Sequence, residues 1–185
     1  MARQRVHVAS WAARALPNVS LPSRAAAAKM RPVAGAQATI RVAREADVPA
    51  IVGLFADDDG GRRNAAHGTL GPAQIEAFRQ IEPDPNNAVY VAELAGKVVG
   101  TFQLTFIRQL SNGGCLVAQV ESVHVHSSVR GLGVGAQMMA AAIAEAKRRR
   151  ALRIQLTSNL RRERAHAFYE RLGFEFSHKG LKLYL

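Results

Sequence analysis

The sequence of 185 residues is poor in cysteine and contains no long apolar run. Its single cysteine, Cys115, excludes an internal disulfide framework and a cysteine-based zinc site, and is typical of a protein from a reducing compartment. No stretch approaches the roughly 20 apolar residues that a membrane-spanning helix requires. With 48% hydrophobic and 21% charged residues, the chain can bury a core of ordinary size. We therefore expect one folded domain in the cytoplasm, without a membrane partner.

Acidic residues are missing from the first part of the chain. The first is Glu45, and eight Lys and Arg residues precede it, so the formal net charge of +11 falls to +3 for residues 45–185. We divide the chain into a basic, Ala- and Arg-rich leader, residues 1–37, and a domain, residues 38–185. The leader fits a disordered tail or an overlong translation start before Met30, with an organelle transit peptide as the alternative. Most of the basic excess lies before Glu45, so nucleic acid is not the expected partner of the folded domain.

Hydrophobic periodicity predicts an α/β fold, a single domain with a mixed central sheet of about six to seven strands and about four flanking helices. The predicted strands are residues 38–43, 88–93, 98–107, 115–126, 152–156, 174–176 and 179–185. The predicted helices are residues 48–56, 72–81, 136–150 and 162–172, with a charged loop between the first two.

A glycine-rich turn follows the longest predicted strand and opens into a helix. Glycines allow a tight turn, and the first N–H groups of a helix attract anions, so Arg130–Ala136 predicts a diphosphate cradle with Arg130 as an added cation. Further basic residues are expected to raise the positive potential nearby. These are Lys147–Arg150, Arg161, Arg162 and Arg164.

The turn also satisfies the dinucleotide fingerprint G-x-G-x-x-A through Gly131, Gly133 and Ala136. Two features argue against that interpretation. Only about 50 residues follow the turn, too few for the remaining half of a dinucleotide-binding domain. In addition, no acidic residue lies between Glu145 and Glu163 to hold a ribose.

Two motifs resemble those of the GNAT family of N-acetyltransferases. R-G-L-G-V-G at 130–135 resembles the acetyl-CoA motif R/Q-x-x-G-x-G/A, and A-H-A-F-Y-E-R-L-G-F at 165–174 is similar to A-x-x-F-Y-x-x-L-G-F. One helix and one short strand separate them, and the resemblance covers about residues 38–185. It implies direct transfer of an acetyl group from acetyl-CoA to an amine in a ternary complex, with no metal and no covalent acyl-enzyme.

The resemblance also implies where acetyl-CoA binds. The diphosphate would lie on the amides of the glycine turn, and the pantetheine arm along Val123–Val125, where the N–H of Val123 or Val125 would polarise the thioester carbonyl. Many relatives carry Asn at the position of Arg162, so Arg162, or Asn159 or Ser158, is expected to contact the cofactor instead. The expected cofactor-binding residues are Val123, His124, Val125, Arg130, Gly131, Leu132, Gly133, Val134, Gly135, Ala136, Asn159, Arg162 and Tyr169.

Two residues are candidates for acid–base catalysis. Tyr169 matches the family tyrosine that protonates the departing thiolate. Glu121 lies on the central strand as a candidate general base or substrate ligand. In a regular strand it would share a face with Val123 and Val125, and the histidines at 124 and 126 would face the other way.

The acceptor remains open at the level of the sequence. Residues 48–81 and a closing hairpin are expected to select it, with Asp57–Asp59 available for an ammonium group and Arg62 and Arg63 for an anion. A small metabolite amine is favoured, since no further recognition domain is apparent. A protein or peptide amine, and a regulatory protein that binds acetyl-CoA without turnover, are the alternatives. Homodimers are common in the family, but nothing in the sequence decides the oligomeric state.

Overall fold

The computed structural model describes residues 37–57 and 69–184. They form a five-stranded mixed sheet whose spatial order follows the chain, with antiparallel neighbours except for the parallel last pair. The strands are β1 (Thr39–Val42), β2 (Asn87–Leu94), β3 (Lys97–Arg108), β4 (Leu116–Val125) and β5 (Arg153–Leu156). The predicted α/β fold with a mixed sheet is confirmed. The leader and most of the charged loop lie outside the described residues.

Within the described residues, four helices flank this sheet. They are α1 (Val48–Ala56), α2 (Pro72–Ile81), α3 (Val134–Arg148) and α4 (Glu163–Arg171), with a four-residue helical turn at Ser111–Gly114 between β3 and β4. Proline in the first turn starts both α1 and α2, because a residue there needs no intrahelical N–H bond. No helix in the two described ranges is long and apolar enough to cross a membrane.

The sheet packs a core on each face. On one face α3 buries Met138 and Met139 against Phe102 and Leu104 of β3 and Val120 of β4. On the other face α1 and α2 pack against β2 in a smaller cluster around Val52 and Phe78. The large cluster fixes the direction of α3, and therefore the position of the turn that precedes it.

A β-bulge interrupts β4 near its end. Thr101 and Gln103 of β3 are two residues apart, but their partners His124 and Glu121 are three apart, so β4 contains one extra residue. Ser122 lies in this interval and has a left-handed φ of 51°. Side chains alternate between faces, so the extra residue reverses which face the following residues occupy.

The two predicted closing strands are wrong over residues 174–184, which form no strand. Gly173, with φ of 91°, ends α4 in a left-handed cap, and Phe174 N–H donates back to Tyr169 O. The alternation of L-K-L-Y-L suits a strand, but residues 174–184 adopt no strand conformation, and Leu181 and Leu183 are 95% and 86% exposed. Alternation predicts a strand only where a neighbouring strand supplies hydrogen bonds.

Candidate functional site

A gap opens between β4 and β5 on the side of the glycine turn. The parallel pairing ends at Val120 with Leu156, while β4 continues to Val125 without a described neighbour on that side. His126 N–H donates to Val99 O of β3 at 2.9 Å. Since successive N–H groups of a strand point in opposite directions, the N–H of Val125 points away from β3 and into the gap. The gap therefore offers backbone hydrogen bonds to an extended ligand.

The glycine turn follows the end of β4, the strand that borders this gap. Gly131 and Gly133 have φ values of 84° and 85°, a conformation that glycine adopts without strain, and Gly133 is the N-cap of α3. A Cβ on Gly135 would lie 3.4 Å from Phe168 Cζ, so α4 packs closely beside this residue. Helix geometry leaves the N–H groups of Val134, Gly135 and Ala136 without an intrahelical acceptor. Together with the positive end of the α3 dipole, they form a cradle for an anion.

The basic run Lys147–Arg150 does not contribute to this cradle, contrary to our expectation. It lies at the opposite end of the 15-residue α3, roughly 20 Å away at 1.5 Å per residue. Arg148 pairs there with Glu145 at 2.7 Å, and the Arg149 guanidinium stacks 4.0 Å above the Phe106 ring.

Arg130 binds protein groups with its guanidinium. Its Nε donates to Val125 O at 2.9 Å, and its Nη2 donates to the main-chain oxygen of Asp57 at 3.0 Å, with Asp57 Oδ2 3.4 Å away. Asp57, the residue after α1, also accepts hydrogen bonds from the N–H and the hydroxyl of Ser127. Asp57 is thus occupied at the glycine turn, whereas Asp58, Asp59, Arg62 and Arg63 lie outside the described residues.

Tyr169 lies on α4, on the face of the sheet that α3 covers. It packs against the large cluster, and its ring makes edge contacts with Phe168 and Phe174 at centroid distances of 5.1 and 5.7 Å. This burial raises the pKa of Tyr169, although the positive charge of Arg162 opposes the shift. A phenol in this environment stays protonated at neutral pH and can donate a proton.

Glu121 does not share a face with Val123 and Val125, contrary to our expectation. Val123 and Val125 pack with Val120 against the α3 cluster, so Glu121, one residue after Val120, points to the opposite face. His124 points to that face too, where its ring lies 4.9 Å from Phe55 of α1. The extra residue in β4 causes this arrangement. Glu121 is exposed, directly opposite Gln103 of β3.

Neutral polar side chains surround Glu121 on this face. Gln103 donates to Asn87 Oδ1 at 2.9 Å, and Thr105 donates to the same oxygen at 3.0 Å. On the other side Gln155 donates to Gln119 Oε1 at 2.9 Å. These side chains supply hydrogen-bond donors and acceptors without formal charge, and Glu121 adds a carboxylate to this group.

The turn before α4 uses its polar side chains internally. Asn159 Oδ1 accepts a hydrogen bond from the N–H of Arg161 at 3.0 Å, so this side chain stabilises the turn. Asn159 is exposed, and its hydrogen bond to Arg161 does not direct its side chain into the gap. Arg162 is the N-cap residue of α4 and is half-buried. The positive charge of Arg162 acts to lower the pKa of Tyr169, so the two side chains lie near each other. This agrees with a position of Arg162 beside the gap. Half-buried Ser158 precedes them.

The other histidines between residues 69 and 184 have structural contacts. His126 Nδ1 accepts the N–H of Ser128 at the start of the turn, and His166 packs against the ring of Phe176. His178 Nδ1 lies 2.8 Å from the hydroxyl of Ser177. Across residues 37–57 and 69–184, no group of three or more His, Cys, Asp or Glu residues is placed to hold a metal ion.

Residues 39–174 match the model of the Acetyltransferase (GNAT) family. The chain belongs to this family. Members use acetyl-CoA as the acyl donor, and the left-handed glycines, the first amides of α3 and the open edge of β4 fit that ligand. The glycine turn would hold its diphosphate and the β4 edge its pantetheine arm.

Proteins similar to this GNAT protein are named as acetyltransferases or as a transcriptional regulator. An aminoalkylphosphonate N-acetyltransferase of Salmonella typhimurium is 33% identical over 95 residues, which are 51% of this chain and only 61% of that protein. A transcriptional regulator from Bacillus halodurans has a solved structure with a TM-score of 0.76 and 38% identity, over 80% of this chain and 100% of that one. A putative acetyltransferase from Agrobacterium tumefaciens has a TM-score of 0.70 at 23% identity, over 80% and 99% of the two chains.

Sequence reasoning missed Asp57 as a partner of the glycine turn and Gln103 as the neighbour of Glu121. Asp57 is 70 residues from Ser127, and no local pattern signals such a contact. Gln103 could have been found, since polar residues at 103 and 105 alternate with buried Leu104 along β3.

Proposed function

We propose that this GNAT protein transfers the acetyl group of acetyl-CoA to a primary amine of a small molecule. The observation that carries the proposal is the gap between β4 and β5. The strand that borders it, β4, leads into the glycine turn, with Tyr169 on the α3 face of the sheet and Glu121 on the opposite face. With acetyl-CoA bound there, the donor, an acid and a base would meet at one opening in the sheet.

The proposed reaction is a direct displacement. The amine nitrogen attacks the thioester carbonyl carbon, a C–N bond forms and the C–S bond breaks. Glu121, directly or through water, takes the proton that the amine loses, and Tyr169 supplies a proton to the departing sulfur. The N–H of Val125 or Val123 would donate to the carbonyl oxygen as negative charge develops on it.

A small-molecule acceptor is supported by the polar face around Glu121 and by the aminoalkylphosphonate N-acetyltransferase relative. The match covers 61% of that relative, so an aminoalkylphosphonate is one candidate among amines. Peptide and protein amines are the alternative. We further propose a cytoplasmic domain at residues 38–185 that follows a basic leader at 1–37.

A second candidate function is regulation by bound acetyl-CoA without turnover. The Bacillus halodurans relative, 38% identical to this chain, carries the name of a transcriptional regulator. Such a protein would need the glycine turn but neither Tyr169 nor Glu121.

The deciding experiment has two stages. Calorimetric titration with acetyl-CoA, with NAD as the control, tests the donor site, and thiol release over an amine library that includes aminoalkylphosphonates tests turnover. Acetyl-CoA binding followed by amine-dependent thiol release supports the transferase. Binding with no release from any amine, small or peptide, favours the regulator, and a folded protein that binds no acetyl-CoA would overturn both.

A further inference from the structure

Three residues far apart in the chain join α1 to the glycine turn. Asp57 directly follows α1, Ser127 begins the short 3-10 turn after β4, and Arg130 is the first residue of the glycine motif. We call Asp57, Ser127 and Arg130 the clasp. Both Ser127 groups and the Arg130 guanidinium converge on Asp57, which is 23% exposed at its side chain.

Each clasp contact fixes a different part of the route into the cradle. The N–H and hydroxyl of Ser127, bound to the Asp57 carboxylate, hold the start of the 3-10 turn Ser127–Val129. The bond from Arg130 Nε to Val125 O, with its Nη2 bond to Asp57 O, holds the start of the glycine motif against the end of β4. Gly131 and Gly133 have no side chains that could hold the turn in place. The conformation of the turn therefore depends on the contacts of Ser127 and Arg130.

Electrostatics agree with a persistent carboxylate at this point. The hydrogen bond from the Ser127 hydroxyl, together with the Ser127 amide and the charges of His126 and Arg130, keeps the pKa of Asp57 below its usual range. Asp57 is therefore ionised throughout the neutral range and balances part of the Arg130 charge. An acidic residue beside a diphosphate cradle would repel the ligand if it faced it, but here it is turned into the clasp.

From this geometry we propose that Asp57 is a positioning residue for the diphosphate of acetyl-CoA. It acts through Ser127 and Arg130 on the amides of the glycine turn, without touching the ligand. The inference rests on the proposed function, because it requires acetyl-CoA in the cradle. It also assigns the Arg130 side chain to holding the turn.

The test compares ligands with and without the diphosphate. For Asp57→Ala we expect the dissociation constant of acetyl-CoA, measured by calorimetry on the full chain, to rise about tenfold, as fits the loss of hydrogen bonds to a charged group. The inhibition constant of S-acetylpantetheine, measured as displacement of acetyl-CoA, should stay within about twofold because this ligand has no diphosphate. Asp57→Asn, which keeps one of the two acceptor oxygens but loses the charge, should fall between wild type and Asp57→Ala.

Two controls separate positioning from general damage. Glu45→Ala removes a comparable carboxylate, which binds Arg79 at 2.8 Å far from the turn, and should leave both constants unchanged. A double-mutant cycle of Asp57→Ala with Arg130→Ala should show effects on acetyl-CoA binding that are less than additive.

The outcomes are distinct. An unchanged acetyl-CoA constant in Asp57→Ala, or an equal loss for both ligands, would overturn the clasp as a positioning device while leaving the transferase proposal intact. A wild-type protein that does not bind acetyl-CoA at all would instead remove the proposed function, and the inference with it.

Discussion

At Tyr169, burial favours the form of the side chain that an acid requires. Its raised pKa means that the phenol is still protonated where an ordinary tyrosine begins to ionise, near pH 10. We expect Tyr169→Phe to lower kcat by about 100-fold, within the range for a lost general acid, with little change in acetyl-CoA affinity. Thiol-release kinetics and calorimetry would measure the two effects. Tyr90→Phe is the matched control, because the Tyr90 ring stacks on Phe102 and is remote from the gap. Equal losses of kcat in both variants would remove the acid role from Tyr169.

Glu121 lies among amide side chains on the sheet face opposite the α3 cluster. We expect Glu121→Gln to lower kcat/KM for the amine by at least about tenfold below the pKa of the amine, because the ammonium then loses its proton acceptor. The loss should shrink as pH rises and the free amine becomes abundant. The measurement is the pH dependence of kcat/KM at saturating acetyl-CoA. A loss that is constant with pH would identify Glu121 as a binding residue only.

At the scale of the element, two glycines in different backbone regions should respond oppositely to the same substitution. Gly133→Ala puts a Cβ at φ of 85°, which costs about 1–2 kcal/mol, and should lower Tm and weaken acetyl-CoA binding. Gly53→Ala lies on the exposed face of α1 with no atom within 4 Å of the new Cβ, and should stabilise the protein by about 0.5–1 kcal/mol. Thermal unfolding gives both signs, at about 2–4 °C per kcal/mol. A fall in Tm for both variants would contradict this account.

The elements differ in how well the sequence predicts them. The bounds of α1 and α2 agree with the prediction because proline marks each start and apolar spacing marks each inner face. The bulge could not be found, since an alternating pattern does not say where one extra residue enters. Its consequence for the site was large, because the face of Glu121 depends on it. The closing strands failed for the opposite reason: their alternation is present, but residues 174–184 form no strand.

The candidate site shows the same limit. The glycine turn and the helix after it are local in sequence, and their geometry is as expected, with left-handed Gly131 and Gly133. The Asp57 contacts join residues 70 and 73 positions apart, which single-sequence patterns do not record. The position of Lys147–Arg150 was predictable in principle, because a helix of about 15 residues separates its ends by roughly 20 Å.

For the whole molecule, the pH dependence of stability should reveal the contribution of the ion pairs that Arg41 of β1 forms. Arg41 binds Asp47 at 2.7 Å and Glu93 at 2.9 Å, and its hydrogen bonds keep the pKa of Asp47 below the ordinary value of about 3.9. A lowered pKa stabilises the fold above pH 3.9, and this contribution is lost as pH falls through the folded-state pKa. We expect Asp47→Asn to lower Tm by about 2–4 °C at pH 7, equivalent to about 1 kcal/mol for a partly screened pair. The difference from wild type should shrink below pH 3.9. A difference that is the same at pH 7 and at pH 3 would show that the charge of Asp47 is not its source.

The extra residue in β4 makes strand length a determinant of chemistry. In a regular strand, side chains at odd and even positions lie on opposite faces of the sheet. The bulge at Ser122 reverses this assignment for the residues that follow it. Deleting this one serine would return the strand to a regular frame and send Val123 and Val125, or else Glu121, to the wrong side of the sheet, although every side chain discussed above would still be present. A relative could therefore keep the same residues and lose the arrangement through a single deletion, and comparison by residue identity alone would not detect it.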